Sequence, residues 1–135
     1  MTRKLLVLVA AILVAATAFA ADKPQTMCPI RNKPIDKTKY VDYQGQRVYF
    51  CSGSCAAKFK ADPEPVFAKF AKEGIVPENV QKTDPVCGMK VSDKSVKAEW
   101  KGRHLLFCSD HCKDTFLKDP AKHVKALDEK TAIKS

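Results

Sequence analysis

Six cysteines carry the chemistry open to this chain: Cys28, Cys51 and Cys55 in one stretch, and Cys87, Cys108 and Cys112 in another. In each stretch a single early cysteine precedes a Cys-x3-Cys pair, across a gap of 22 residues in the first and 20 in the second. Three thiols per stretch is an odd number, so a disulfide within one stretch leaves a thiol over and full pairing needs a bond between stretches. Three thiolates converging on one cation need no such bond. Soft sulfur donors select copper(I) and zinc, whereas calcium or magnesium would want oxygen. Three sulfurs satisfy trigonal copper(I), but zinc seeks a fourth donor. Candidates for it in the second stretch are Asp84, Met89 and His111; the first has only Met27 or Gln25 nearby. A disulfide framework is the rival use of the same cysteines in an exported protein.

The elements that must position these thiols are written twice. From Gly45 and Gly102 onward the two stretches keep a constant offset of 57, while Cys28 and Cys87 are offset by 59. Matching those two cysteines therefore requires a two-residue length difference ahead of the strands. Lys39 to Tyr43 and Arg47 to Phe50 flank a Gly45 loop, and Val96 to Trp100 and His104 to Phe107 flank Gly102, which predicts a β-hairpin in each. A short helix follows each Cys-x3-Cys pair, with serine or aspartate caps, and Pro63 or Pro120 opens a second helix. The hairpin would end at Cys51 or Cys108, with Cys55 or Cys112 in the first helical turn, so each pair of sulfurs faces one point. The helix N-terminus should also lower the Cys55 and Cys112 thiol pKa values. The chain thus reads as α+β, two small tandem ββαα modules. The first spans residues 26–73, a linker 74–83, and the second 84–130. Modules of this size need a metal, staples or a partner to hold them.

The 135 residues leave room for little else. Residues 1–20 have a positive start at Arg3 and Lys4, an apolar run and an Ala18-Phe19-Ala20 cleavage pattern, the layout of a signal peptide. The expected mature chain is exported, periplasmic and without a stable membrane span. Its net charge falls from +9 to +7, with 22 basic against 15 acidic residues. The basic residues are scattered without interleaved stacking aromatics, which argues against a nucleic-acid partner. No hydrolytic triad, phosphate loop or paired-carboxylate arrangement is visible. A thiol oxidoreductase is the enzymatic alternative, but the spacing is C-x3-C rather than C-x-x-C, and no thioredoxin-like βαβ pattern surrounds it.

Asp84-Pro85-Val86-Cys87-Gly88-Met89, followed by Phe107-Cys108-Ser109-x-x-Cys112-x3-Phe116, resembles the YHS domain, a relative of the TRASH metal-binding domains. Cys28-Pro29-Ile30, Tyr40 to Tyr43 and Tyr49-Phe50-Cys51 resemble small exported YHS proteins. The resemblance implies a treble-clef-like metal module in each half. Carried over by position, it implies Cys28, Cys51 and Cys55 as one ligand set and Cys87, Cys108 and Cys112 as the other. The first half departs from the pattern: Arg31-Asn32 replaces the family's Met and Gly, and no Asp-Pro precedes its cysteine. The expected function is copper(I) sequestration or handover, with zinc as the other cofactor and a heavy-metal transporter or other metalloprotein as partner. The alternative is a structural interaction module held by zinc or disulfides.

Overall fold

Two tight turns organise the chain. Gln44 and Gly45 both adopt positive φ (48° and 76°), as do Lys101 and Gly102 (46° and 78°). That is the backbone of a two-residue turn whose twist matches the strands it joins. The computed structural model describes residues 22–130, and the signal-peptide reading of residues 1–20 lies outside them. In chain order the elements are β1 (Lys23–Pro24), β2 (Asp36–Tyr43), β3 (Gln46–Phe50), α1 (Gly53–Ala61), α2 (Glu64–Glu73), β4 (Ile75–Val76), β5 (Glu78–Asn79), β6 (Val96–Trp100), β7 (Arg103–Phe107), α3 (Asp110–Lys118) and α4 (Pro120–Lys130). The protein is therefore α+β, with four helices and three small sheets among the described residues. An antiparallel hairpin followed by two helices occurs twice: β2–β3–α1–α2 and β6–β7–α3–α4. None of the described helices is long and apolar enough to cross a membrane.

Each hairpin buries one face under its helices. In the first half Val41, Val48 and Phe50 pack with Phe59 of α1 and with Val66, Phe67 and Phe70 of α2. In the second, Leu105 and Phe107 pack with Phe116, Val124 and Leu127. Val66, Phe67 and Phe70, at i, i+1 and i+4, supply the buried stripe of α2. Gly74, at φ 68°, ends α2 in the left-handed conformation.

Residues 74–83, read from sequence as a linker, are paired on both sides. β4 runs parallel to β1, and β5 adds antiparallel to β3 through Gln46↔Asn79 and Arg47↔Glu78. Glycine and proline punctuate this segment, but its intervening backbone still completes open sheet edges.

The halves meet at a seam that sequence reading missed. Arg103, at the start of β7, is 0% exposed. Its guanidinium donates to Glu64 of α2 (2.5 and 3.1 Å), to the Gln44 side chain (2.8 Å) and to the Lys101 carbonyl (3.0 Å). It lies 4.2 Å from the Phe67 ring centroid and 5.2 Å from that of Trp100. Gly102 packs so closely on α2 that an added Cβ would stand 2.2 Å from the Phe67 carbonyl oxygen. Beside it, Gln46 donates to the His104 carbonyl (2.9 Å) and accepts from the His104 amide (3.3 Å). In this way a side-chain amide takes the place of a neighbouring strand.

Candidate functional site

The structure gathers the six thiols into two clusters, one per half. Cys28 lies in the turn between β1 and β2, Cys51 directly follows β3, and Cys55 sits in the first turn of α1. Their ligand atoms all lie within 4.8 Å of one another, and the Cys51 and Cys55 sulfurs are 3.8 Å apart. In the second half Cys87, Cys108 and Cys112 gather in the same way, together with a carboxylate oxygen of Asp84. The Cys87–Cys108 and Cys108–Cys112 sulfur separations are 3.3 and 3.5 Å. All six are free thiols. Cys28, Cys55, Cys112 and Asp84 are buried, while Cys51 is half-buried and Cys87 and Cys108 are exposed. Each cluster thus has a dry floor and an open mouth.

The other candidate donors stand apart. Met89 is 63% exposed, and it meets the site through its backbone carbonyl, which accepts from the Asp84 amide (2.7 Å). His111 is exposed on the first turn of α3, and its ring nitrogens are not part of the cluster. Met27 is exposed. Gln25 works as a clamp: its amide donates to the carbonyls of Met27 (3.1 Å) and Tyr49 (2.7 Å) and accepts from the Tyr49 amide (2.9 Å).

That clamp corrects the register between the halves. Gln81 makes the same three bonds, donating to the carbonyls of Thr83 (2.9 Å) and Leu106 (2.6 Å) and accepting from the Leu106 amide (2.9 Å). Gln25 and Gln81 are 56 residues apart. At that offset Cys28 falls on Asp84, not on Cys87, and the local geometry agrees. The Cys28 amide donates to the Lys33 carbonyl and the Asn32 amide to the Cys28 carbonyl; the Asp84 amide donates to Met89 and the Gly88 amide to Asp84. Asn32 (φ 54°) matches Gly88 (φ 75°), and the Met27↔Pro34 bridge matches Thr83↔Lys90. Arg31 therefore occupies the position of Cys87. Matching cysteine to cysteine produced the apparent two-residue gap, because residue type was followed where turn geometry is what repeats.

Electrostatics point the same way. Burial alone would push the Cys28 thiol up, but backbone amides of Arg31, Cys51 and Ile30 directed at its sulfur bring it down to about 7. Burial would likewise raise Asp84, yet amides of Cys108, Val86 and Cys87 hold its carboxyl below the usual range. These are the corresponding three amides in the two halves. The Cys112 thiol is raised, chiefly by burial, which corrects the expectation that its helix N-terminus lowers it. Hydrogen bonding to Cys87 and Cys112, with burial, pushes Cys108 up to about 12. Burial and the neighbouring Cys28 and Cys55 raise Cys51.

Three thiols around one point, with a carboxylate joining them in the second half, form a donor set suited to a soft or borderline cation. The fold and clusters define a small α+β protein with the makings of a thiol-rich metal centre. Residues 82–126 match the family model of the YHS domain, a metal-binding family and not an enzyme family. The match includes Asp84, Cys87, Cys108 and Cys112. Neither the curated proteins nor the solved structures compared with the chain match it.

Proposed function

We propose that this protein is an exported, periplasmic metal-binding protein in which two YHS-like modules hold soft transition-metal ions, copper(I) foremost, for sequestration or handover. The observation that carries this reading is the convergence of three sulfur ligand atoms within 4.8 Å of one another in each half. The equivalent turns and glutamine clamps support treating residues 26–73 as a diverged companion of the matched module, in a tandem treble-clef-like arrangement. The open mouth at Cys51 and at Cys87–Cys108 suits stepwise thiolate exchange with a partner such as a heavy-metal transporter or another metalloprotein. The leader at residues 1–20 is the basis for export.

The test is elemental analysis of protein purified from the periplasm, with a thiol count. Close to two equivalents of metal with six reduced thiols supports the proposal. Protein without metal and with all six thiols oxidised refutes it in favour of a disulfide-held module. A Cys51→Ser/Cys108→Ser double variant should lose uptake by both halves, whereas unchanged stoichiometry would mean that other residues hold the metal.

A further inference from the structure

The register correction makes the two clusters unequal. Each half offers four positions around one point: a buried donor over the turn amides, a residue three further on, the residue that ends the hairpin, and one in the first helical turn. The first half fills them with Cys28, Arg31, Cys51 and Cys55, and the second with Asp84, Cys87, Cys108 and Cys112. Each half thus departs from four cysteines at a different corner. Arg31 brings no donor, and no His, Cys, Asp or Glu atom completes the first cluster among the described residues. Asp84 does bring one. Its Oδ1 accepts from the Val86 and Cys87 amides (2.7 and 3.3 Å), and its Oδ2 accepts from the Cys108 amide alone (2.7 Å). A carboxylate has about four lone-pair sites, so one on Oδ2 remains. A carboxylate oxygen of Asp84 stands with the three sulfurs, all four ligand atoms within 4.8 Å of one another, so a cation held there meets an oxygen as well as sulfur.

Resting on the metal-binding reading above, we infer that the two halves take cations of different class: the first a monovalent soft ion, copper(I), in three sulfurs, and the second a divalent ion, zinc, in three sulfurs and the Asp84 oxygen. Trigonal sulfur suits the first ion and leaves the second under-coordinated, whereas four donors of mixed hardness suit tetrahedral zinc. The carboxylate also gives the second cluster one more negative charge, which fits the higher charge of its ion.

Cobalt(II) is the probe, because in a tetrahedral thiolate-rich site it reports its geometry in visible absorption. The reduced full chain should develop the tetrahedral spectrum with one equivalent of cobalt(II). The spectrum should persist in Cys51→Ser, vanish in Cys108→Ser, and need at least about tenfold more cobalt in Asp84→Asn. Arg31→Cys, which gives the first cluster its fourth donor, should raise the tetrahedral stoichiometry to two, and this gain does not depend on Asp84→Asn folding. Copper(I) titrated against a competing chelator should fill the Cys51-dependent site first. Two tetrahedral equivalents in the parent, or a spectrum that follows Cys51, would overturn the inequality while leaving metal binding intact. Failure to bind either ion would overturn both.

Discussion

Truncating Arg103 to alanine tests whether the seam holds the halves together. The side chain is 0% exposed and packs on Phe67 and Trp100, so its removal leaves a hole of the kind that costs about 2–5 kcal/mol in a core. It also removes charged donors from Gln44 and from the Lys101 carbonyl, each such bond contributing about 1.5–3 kcal/mol where water does not replace it. The Glu64 side chain is 55% exposed and rehydrates, so its share is discounted to about 1 kcal/mol or less. These contributions overlap, and we expect a loss of about 3–5 kcal/mol, within the range for removing one partner of a buried ion pair. For a chain of this size that is a fall in Tm of roughly 10–20 °C. Urea denaturation of the reduced protein, followed by far-ultraviolet circular dichroism, measures it, and Glu64→Gln should stay within about 1 kcal/mol of the parent. The sign with pH follows from Glu64, whose carboxyl is lowered chiefly by its hydrogen bonds from Arg103. The ion pair's contribution is present above the unfolded carboxylate pKa and is lost as pH falls through the lower folded value. The deficit of Arg103→Ala should therefore narrow in acid. An Arg103→Ala protein within about 1 kcal/mol of the parent at neutral pH would refute the reasoning.

Two glycines at equivalent turn positions separate conformation from contact. Gly45→Ala brings a methyl to 3.1 Å from the Gln81 Cβ, a tight contact that a shift of a few tenths of an ångström relieves, whereas Gly102→Ala drives a methyl to 2.2 Å from the Phe67 carbonyl oxygen. Both bear the left-handed penalty of about 1–2 kcal/mol, so Gly102→Ala should be worse by a further 1–3 kcal/mol or so; equal stabilities by urea denaturation would show that the close approach does not matter. Gln81→Ala should speed hydrogen exchange at the Leu106 amide, which donates to Gln81, and leave Leu105 protected within the β6–β7 pair. Unchanged Leu106 protection would mean that the clamp contributes nothing there.

Hairpins, helix starts and the gathering of the cysteines were legible because each rests on local pattern. Glycine at the turns, Pro63 and Pro120 at the helix starts and the Cys-x3-Cys spacing act within a few residues of themselves. What was not legible depends on partners distant in sequence. Arg103 looked like one more member of a scattered basic surface, and only the approach of α2 makes it a buried hub. Gln46 and Gln81 fall in what the sequence reads as a hairpin loop and a linker, yet each turns its amide to a backbone edge of β7. The Asp84 correspondence was hidden for a different reason. Amides directed at the Cys28 sulfur correspond to amides that donate to the Asp84 carboxylate, so what repeats is an acidic group over a turn of donors, and a comparison of residue letters cannot register it.

The seam and the second cluster are mechanically one object. Gln81 holds Leu106 two residues before Cys108, and the same amide holds Thr83, the neighbour of Asp84. The carboxylate and the hairpin-end thiol are thereby tied to a common side chain, while Asn79 and Gln46 fix His104 further up the same strand. Gln25 ties Met27, beside Cys28, to Tyr49, two residues before Cys51, in the same manner. A glutamine amide can do this because it presents donor and acceptor together; glutamate would present acceptors alone and meet the strand carbonyl with repulsion. Cys28 in the first cluster, and Asp84 and Cys87 in the second, come from a turn, while the remaining donors come from the hairpin end and the helix after it, and the entropy of bringing them together is met during folding rather than on metal binding. The difference between the clusters then lies in the donors at the corners, Arg31 against Cys87 and Cys28 against Asp84, because the frame that presents them is the same.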